Sequence, residues 1–373
     1  MATDMKRVAQ LDGVRGLAIL LVLVWHYFAS QVIATDGSMS IYCIRALLFT
    51  RSGVTLFFVL SGFLIGGILL DHRSTANYFR VFYLRRICRI LPLYFLVLAS
   101  FVCFRATPLS AWPHFEWLSG HPFPMLSYAT FTQNFLMGLR GDFGPHWLGV
   151  TWSLAIEEQF YLFVPLLIYF LPRRALFNLL PVGILMAPVL RHWFPGFQSY
   201  VYAPWRADAL LSGVYLALLV RSRSFIDGVK PRPWILFALL IAFLPGVLLV
   251  DAESWIVGLY VTFILIAFAD TQPWLGQLLR TPTLVWFGQL SYGIYMFHEA
   301  VSGLTHGLLL HTAPQLRTPA DVAVTLLALA ITLSLAALSY RFFEGPILRF
   351  GHQFRYRPNP SSDPLLQQVA EET

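Results

Sequence analysis

Charge is scarce in this chain. Asp, Glu, Lys and Arg make up 12% of its 373 residues, about half the ~25% typical of a soluble domain. Cysteine is scarcer: Cys43, Cys88 and Cys103 are widely spaced, with no Cys-x-x-Cys pair and no His–Cys cluster. That excludes a disulfide framework and a thiolate metal site. No Asn-x-Ser/Thr sequon occurs, in keeping with a bacterial source. No small-residue cleavage site follows the first apolar run, so that run reads as a retained span and not a signal peptide. No internal repeat is visible, which disfavours the repeat-built transporter folds.

What fills the chain instead is apolar. Hydrophobic residues reach 57% and aromatics 16%, with a mean hydropathy of +0.64. A membrane span needs about 20 mainly apolar residues. Ten runs qualify: 14–34, 52–70, 89–104, 152–171, 175–192, 206–220, 233–250, 254–270, 284–304 and 321–341. The expected fold is therefore all-α, a polytopic integral membrane protein of about ten transmembrane helices. It occupies residues 1–349, and a polar, Pro-broken tail over 350–373 is expected to be disordered.

The net charge of +7 does not call for nucleic acid, because the basic residues sit between the apolar runs. With an even number of spans, the segments on the side of the N-terminus hold 19 Lys and Arg and the opposite segments 7. The positive-inside rule then puts both termini in the cytoplasm. The longest external segment, roughly 105–151, is rich in Pro, Gly, Trp and Phe, and irregular backbone of this kind often carries function.

Several ionisable groups lie inside the apolar runs, where an unpaired imidazole or carboxylate is costly. At about 1.5 Å per residue, His26 in "GLAILLVLVWHYF" lies roughly 16 Å above the inner edge. Ser61 comes out near 16 Å, Glu157 near 20 Å and His298 near 21 Å by the same arithmetic. Four polar groups from four helices thus fall in one layer. A His26–Glu157 pair would fix the tautomer of a general base. Of the adjacent Glu157 and Glu158, only one can face that way. Ser61 and Gly62, with Gly66 and Gly67, also fit close helix packing.

A second cluster, "YLRRICRILPLYF", places Arg85 and Arg89 four residues apart and Arg86 and Arg89 three apart, on one helix face. Guanidinium groups so arranged bind phosphates; lipid head groups and topology account for them equally well.

Taken together, "LDGVRGLAILLVLVWHYF", "GVTLFFVLSGFLI", "YLRRICRILPLYF", "TWSLAIEEQFYL", "RADALLSG", "FGQLSYGIYMFHEAV" and "YRFFEGPI" resemble, in this order, the motifs of membrane acyltransferase family 3. That family acylates hydroxyls of O-antigens, exopolysaccharides and macrolides. The resemblance runs from residue 11 to about 349. It implies ten core helices, an acyl-CoA donor (usually acetyl-CoA) entering from the cytoplasm, no metal, and a hydroxyl acceptor on a glycan or lipid-linked sugar. It also implies residence in the bacterial inner membrane among lipids; self-association is left open.

By the same resemblance, His26 matches the catalytic histidine and Arg15 the essential arginine. Arg86 and Arg89 match the donor-handling arginines, with Arg85 beside them. Glu157 matches the motif glutamate, with Glu158 beside it. Arg206 and Asp208 match a stretch at the outer end of the sixth span; they are expected, with Trp147, Trp152, Glu158 and His298, to border the acceptor. Two departures stand out. The family usually reads His-Trp-Pro in the ninth span, and here it is His298-Glu299-Ala300, an extra carboxylate near the outer mouth. The chain also stops soon after the tenth run, without the extracytoplasmic esterase-like domain that some relatives carry. A different class remains open: a glycan or lipid transporter whose polar layer lines a pathway.

Overall fold

A computed structural model describes residues 9–35, 41–229, 233–245, 253–269 and 272–359. Every regular element among them is helical. The main helices are α1 (Ala9–Val24), α2 (Gly53–Asp71), α3 (Tyr78–Arg105), α4 (Thr151–Phe170), α5 (Arg173–Trp193), α6 (Ala207–Leu219), α7 (Pro233–Pro245), α8 (Glu253–Ala269), α9 (Pro282–Leu310) and α10 (Pro319–Ser339). A short helix α11 (Gly345–His352) follows a π-turn over Tyr340–Glu344. Among the described residues, each apolar run of the sequence therefore coincides with a helix; residues 246–250 and 270 lie outside them.

Among the described residues, six stretches are long and apolar enough to cross a membrane: Ala9–Val32, Cys43–Asp71, Tyr78–Arg105, His146–Phe170, Arg173–Trp193 and Pro319–His352. The chain is a multi-pass membrane protein; the expected count of ten spans is not established by these helices. α6 is 13 residues, short of the ~20 that a straight crossing needs; the described part of α7 is also 13 residues. α9 is long but too polar. Its inner face buries Ser291, His298, Ser302, Thr305 and His306, and it packs between α1 and α10. A helix enclosed by others need not be apolar all round.

Close approach of helices depends on two glycine contacts. A Cβ on Gly213 of α6 would stand 2.1 Å from the carbonyl oxygen of Val59, and one on Gly62 of α2 would stand 2.0 Å from that of Leu210. The α2–α6 crossing thus brings backbone against backbone, as the small residues of "LSGFLIGG" led one to expect. Gly16 and Gly288 let α1 meet α9 the same way: their added Cβ atoms would lie 2.0 Å from the Leu284 carbonyl oxygen and 1.9 Å from the Asp12 carbonyl oxygen. Such contacts drive association where lipid removes the hydrophobic incentive.

Two part-buried ion pairs add to these contacts. Arg221 bonds Asp71 at 2.6 Å, and Arg191 bonds Asp208 at 2.5 Å.

The expected boundary at residue 349 falls inside α11. Residues 350–359, expected as part of a disordered tail, are helical through His352 and then run against the α2–α3 connection. Ala76 N–H donates to the Arg357 carbonyl at 3.1 Å, Asn77 Nδ2 donates to the Arg355 carbonyl at 2.9 Å, and Tyr356 stacks on His72 at 3.9 Å. The composition-based reading failed here because the partner is another segment's backbone, which composition does not report. Residues 360–373 lie outside the described residues.

Candidate active site

Arg15, on the second turn of α1, opens on a cavity of about 820 Å³. One part of its wall is basic: Arg15, Arg85, Arg86 and Arg89, joined by Arg341 and Arg349 from the C-terminal segment. The three guanidiniums of α3 share the wall because their spacing puts them on one helix face. They are not equivalent. Arg85 donates from Nε and Nη2 to the Phe354 carbonyl, at 3.0 and 2.6 Å, and so holds the C-terminal segment in place. Arg86 lies over the Tyr161 ring, 5.8 Å from its centroid. Arg15 is 3.3 Å from Asp12.

The rest of the wall carries Ser61, Ser153, Glu157, Tyr161 and Tyr295. Ser61 Oγ meets the Tyr161 hydroxyl at 2.6 Å, and Ser153 Oγ meets the Tyr295 hydroxyl at 2.6 Å. Glu157 stands within electrostatic reach of Arg15, Arg86 and Arg89. A cavity of this size is within the range of small-molecule sites, and its arginines present the planar donors that recognise phosphate.

His26 sits in a π-turn, Trp25–Ala29, that interrupts α1. Such bulges displace side chains from the helical register and recur at functional sites. Next to it, the buried Tyr27 hydroxyl donates to the His298 carbonyl at 3.0 Å and meets Thr332 Oγ1 at 2.8 Å. One tyrosine therefore fixes α1 against α9 and α10. His26 Nδ1–H donates to the Val22 carbonyl at 3.0 Å and lies 3.2 Å from His298 Nε2. His298 Nδ1–H donates to the Tyr295 carbonyl at 2.7 Å. On its other side, His26 Nε2 faces Glu299 Oε1 at 3.4 Å. His298 is fully buried, whereas the His26 side chain remains 25% exposed.

His26 and His298, expected in one layer, are thus in contact. The expected His26–Glu157 pair is not formed: Glu157 opens on the arginine cavity, and Glu299 takes the place beside His26. Depth arithmetic omits azimuth, and azimuth decides which carboxylate meets the imidazole. Tyr295 links the two regions, lining the cavity and lying 5.6 Å from the His298 ring, centroid to centroid.

Arg206, Asp208 and Trp152, expected at the acceptor, have internal partners. Arg206 pairs with Glu253 at 3.0 Å and donates to Thr55 Oγ1 at 2.8 Å. Asp208 pairs with Arg191. Trp152 is buried among Phe58, Phe143 and Tyr200. Glu158 Oε1 is buried with no hydrogen-bond partner among the described residues. Sequence reasoning passed over Tyr295, Arg341, Arg349 and the Glu299 contact. The spacing of Tyr295, His298 and Glu299, i, i+3 and i+4 on one helix, was the available signal.

A second cavity, about 810 Å³, is built by the segment between α3 and α4 and is lined by His114, Glu116, Trp117, His121, Arg140, Asp142 and His146. Arg140 Nη2 bonds Asp142 at 2.7 Å, which holds that carboxyl below the usual Asp range. Trp117 meets His146 edge-on at 4.6 Å, and His146 is within electrostatic range of His26.

The profile of an acyltransferase domain matches residues 8–340. The chain belongs to membrane acyltransferase family 3. It is 28% identical over 93% of its length to the peptidoglycan O-acetyltransferase OatA of Listeria monocytogenes serovar 1/2a, of which it covers 56%. It is 26% identical over 94% of its length to the O-acetyltransferase OatA of Staphylococcus aureus strain MRSA252, of which it covers 59%. The chain therefore spans little more than half the length of these relatives. No solved structure matches it.

Proposed function

We propose that this family 3 protein is an O-acyltransferase of the bacterial inner membrane. It moves an acyl group, an acetyl in the simplest case, from cytoplasmic acyl-CoA to a hydroxyl of a cell-surface or lipid-linked glycan. The observation that carries this reading is the arginine-walled cavity, which shares Tyr295 with the His26–His298 pair. CoA is polyanionic and stays in the cytoplasm, while the glycan hydroxyl stays outside. A site inside the membrane lets the two meet.

In this reading Arg86, Arg89 and Arg15 hold the phosphates of the donor, and its pantetheine arm runs past Ser61 and Glu157 toward His26. The second cavity, over His146, receives the acceptor. His26 Nε2 takes the proton of the acceptor hydroxyl as that oxygen attacks the thioester carbonyl. The new C–O bond forms, the C–S bond breaks, and the CoA thiolate leaves with a proton. Positioned bases contribute typically about 10²–10⁴-fold. Transfer through an acyl-imidazole on His26 uses the same atoms. Exchange of labelled CoA into acetyl-CoA without acceptor would mark that route.

Radiolabelled acetyl-CoA, purified protein and a panel of membrane glycolipids and polysaccharides test the reading. Label reaching a glycan with the wild type and not with His26→Ala supports it. Equal transfer by both removes His26 from the mechanism. Movement of glycolipid without use of any acyl-CoA would assign the protein to transport.

A further inference from the structure

The His26–Glu299 contact raises a question of proton placement. The Val22 carbonyl can only accept, so His26 Nδ1 carries the hydrogen, and Nε2 of the neutral ring is then a bare acceptor. Opposite it, at 3.4 Å, stands Glu299 Oε1. Two acceptors face each other inside the protein with no donor between them among the described residues. Such a pair is poised to take a proton, and the arrangement becomes favourable once one lies between them.

A divalent cation is the other means of neutralising such a set, since donor atoms of His26, His298 and Glu299 all lie within 4.8 Å of one another. The geometry favours the proton. His298 Nε2 is directed at the Nδ1 side of His26, 3.2 Å away, and that side is the one bound to Val22. One imidazole cannot turn both nitrogens to the same ion.

We propose that Glu299 is the positioning residue of this site, acting through His26: it shares the proton that His26 Nε2 receives and holds it until the leaving group takes it. This inference rests on the acyl-transfer reading above. Its steps balance. The acceptor hydroxyl gives its proton to Nε2 as its oxygen bonds the acyl carbon. The proton then lies between Nε2 and the Glu299 carboxylate, which stabilises the imidazolium. When the C–S bond breaks, that proton passes to the CoA sulfur, and the pair returns to its starting charge. Three anchors hold the geometry: the π-turn at His26, the Tyr27 hydroxyl on the His298 carbonyl, and the His298 Nδ1–H bond to Tyr295.

The test compares wild type, Glu299→Ala, Glu299→Gln, Glu299→Asp, His26→Ala and the His26→Ala/Glu299→Ala double variant by acetyl-CoA-dependent transfer. Metal content of the purified wild type and Glu299→Ala proteins is measured alongside. Glu299→Ala and Glu299→Gln are expected to lower kcat about tenfold to a hundredfold, with KM for acetyl-CoA within twofold of wild type. Glu299→Asp should recover part of kcat. The double variant should be no slower than His26→Ala alone, because the carboxylate acts through the ring.

Wild-type kcat in Glu299→Ala, with His26→Ala inactive, overturns the proposal while leaving the acyl-transfer reading intact. Loss in the double variant that multiplies the two single losses also overturns it. One equivalent of a divalent metal in the wild type, absent from Glu299→Ala, replaces the proton with a metal site. If the wild type itself fails to use acetyl-CoA, the underlying reading fails instead.

Discussion

At the scale of single residues, each charge does one of two things: it opens on the cavity or it holds helices together. Arg86 and Arg206 make the contrast. Arg86 lies on the cavity wall, so Arg86→Ala is expected to raise KM for acyl-CoA roughly tenfold or more, the size of one charged hydrogen bond of about 1.5–3 kcal/mol. Unchanged donor KM would return the arginine cluster to lipid head groups. Arg206 is buried against Glu253 and Thr55. Arg206→Ala leaves that carboxylate without its cation, and breaking a buried pair costs about 3–5 kcal/mol. The expected result is a lower unfolding temperature in detergent, with acceptor KM unchanged in whatever folded protein remains. His26→Ala should leave the unfolding temperature close to wild type and reduce transfer by about 10²–10⁴-fold. Sequence position grouped Arg15, Arg86 and Arg89, which line one cavity without His26. It did not separate the cavity arginines from Arg206, because both lie in motif stretches at span edges. Only the partner across the helix interface tells them apart.

At the scale of elements, the site depends on how α1 meets α9. Tyr27→Phe removes one hydroxyl that serves both α9 and α10, and about 1 kcal/mol of stability is expected to go with it. Transfer should fall more than that figure implies for folding alone, since the imidazole beside it loses an anchor. A kcat loss without change in donor KM would show it. The α2–α6 crossing is less forgiving. Gly213→Val puts side-chain atoms where the Val59 carbonyl already stands, so the helices must separate, and a substantial fall in yield of folded protein is expected. The segment between α3 and α4 has its own clasp in Arg140–Asp142. Asp142 is held below its ordinary range, so its contribution is present above about pH 4, the unfolded Asp value, and fades as pH falls through the lower folded value. Being exposed, the pair is worth little overall, and Asp142→Asn should shift local proteolysis at acid pH more than global unfolding.

At the scale of the whole molecule, a cavity walled by arginines and a histidine pair, His298 buried and His26 partly exposed, share one bundle, with a second cavity lined by His146. That arrangement suits a reaction whose two substrates are kept apart by a membrane. Much of it was legible in the sequence. Apolar runs dictated helices because hydrocarbon leaves the backbone no other partner. Scarce charge dictated the membrane, and glycine spacing dictated close crossings. Among the described residues the ten runs coincide with helices, and six stretches are long and apolar enough to cross unaided. The tertiary structure decided what lies outside any one segment's composition. It turned Glu157 to the arginines and brought Glu299 to His26. It bound residues 350–359 to the α2–α3 connection. It also enclosed α9, whose polar face no lipid would accept. Sequence periodicity fixes which face of a helix is apolar and how deep a residue sits, since both are properties of one chain segment. Which carboxylate meets which imidazole depends on the rotation and offset of two helices, and those are set by the packing of the whole bundle.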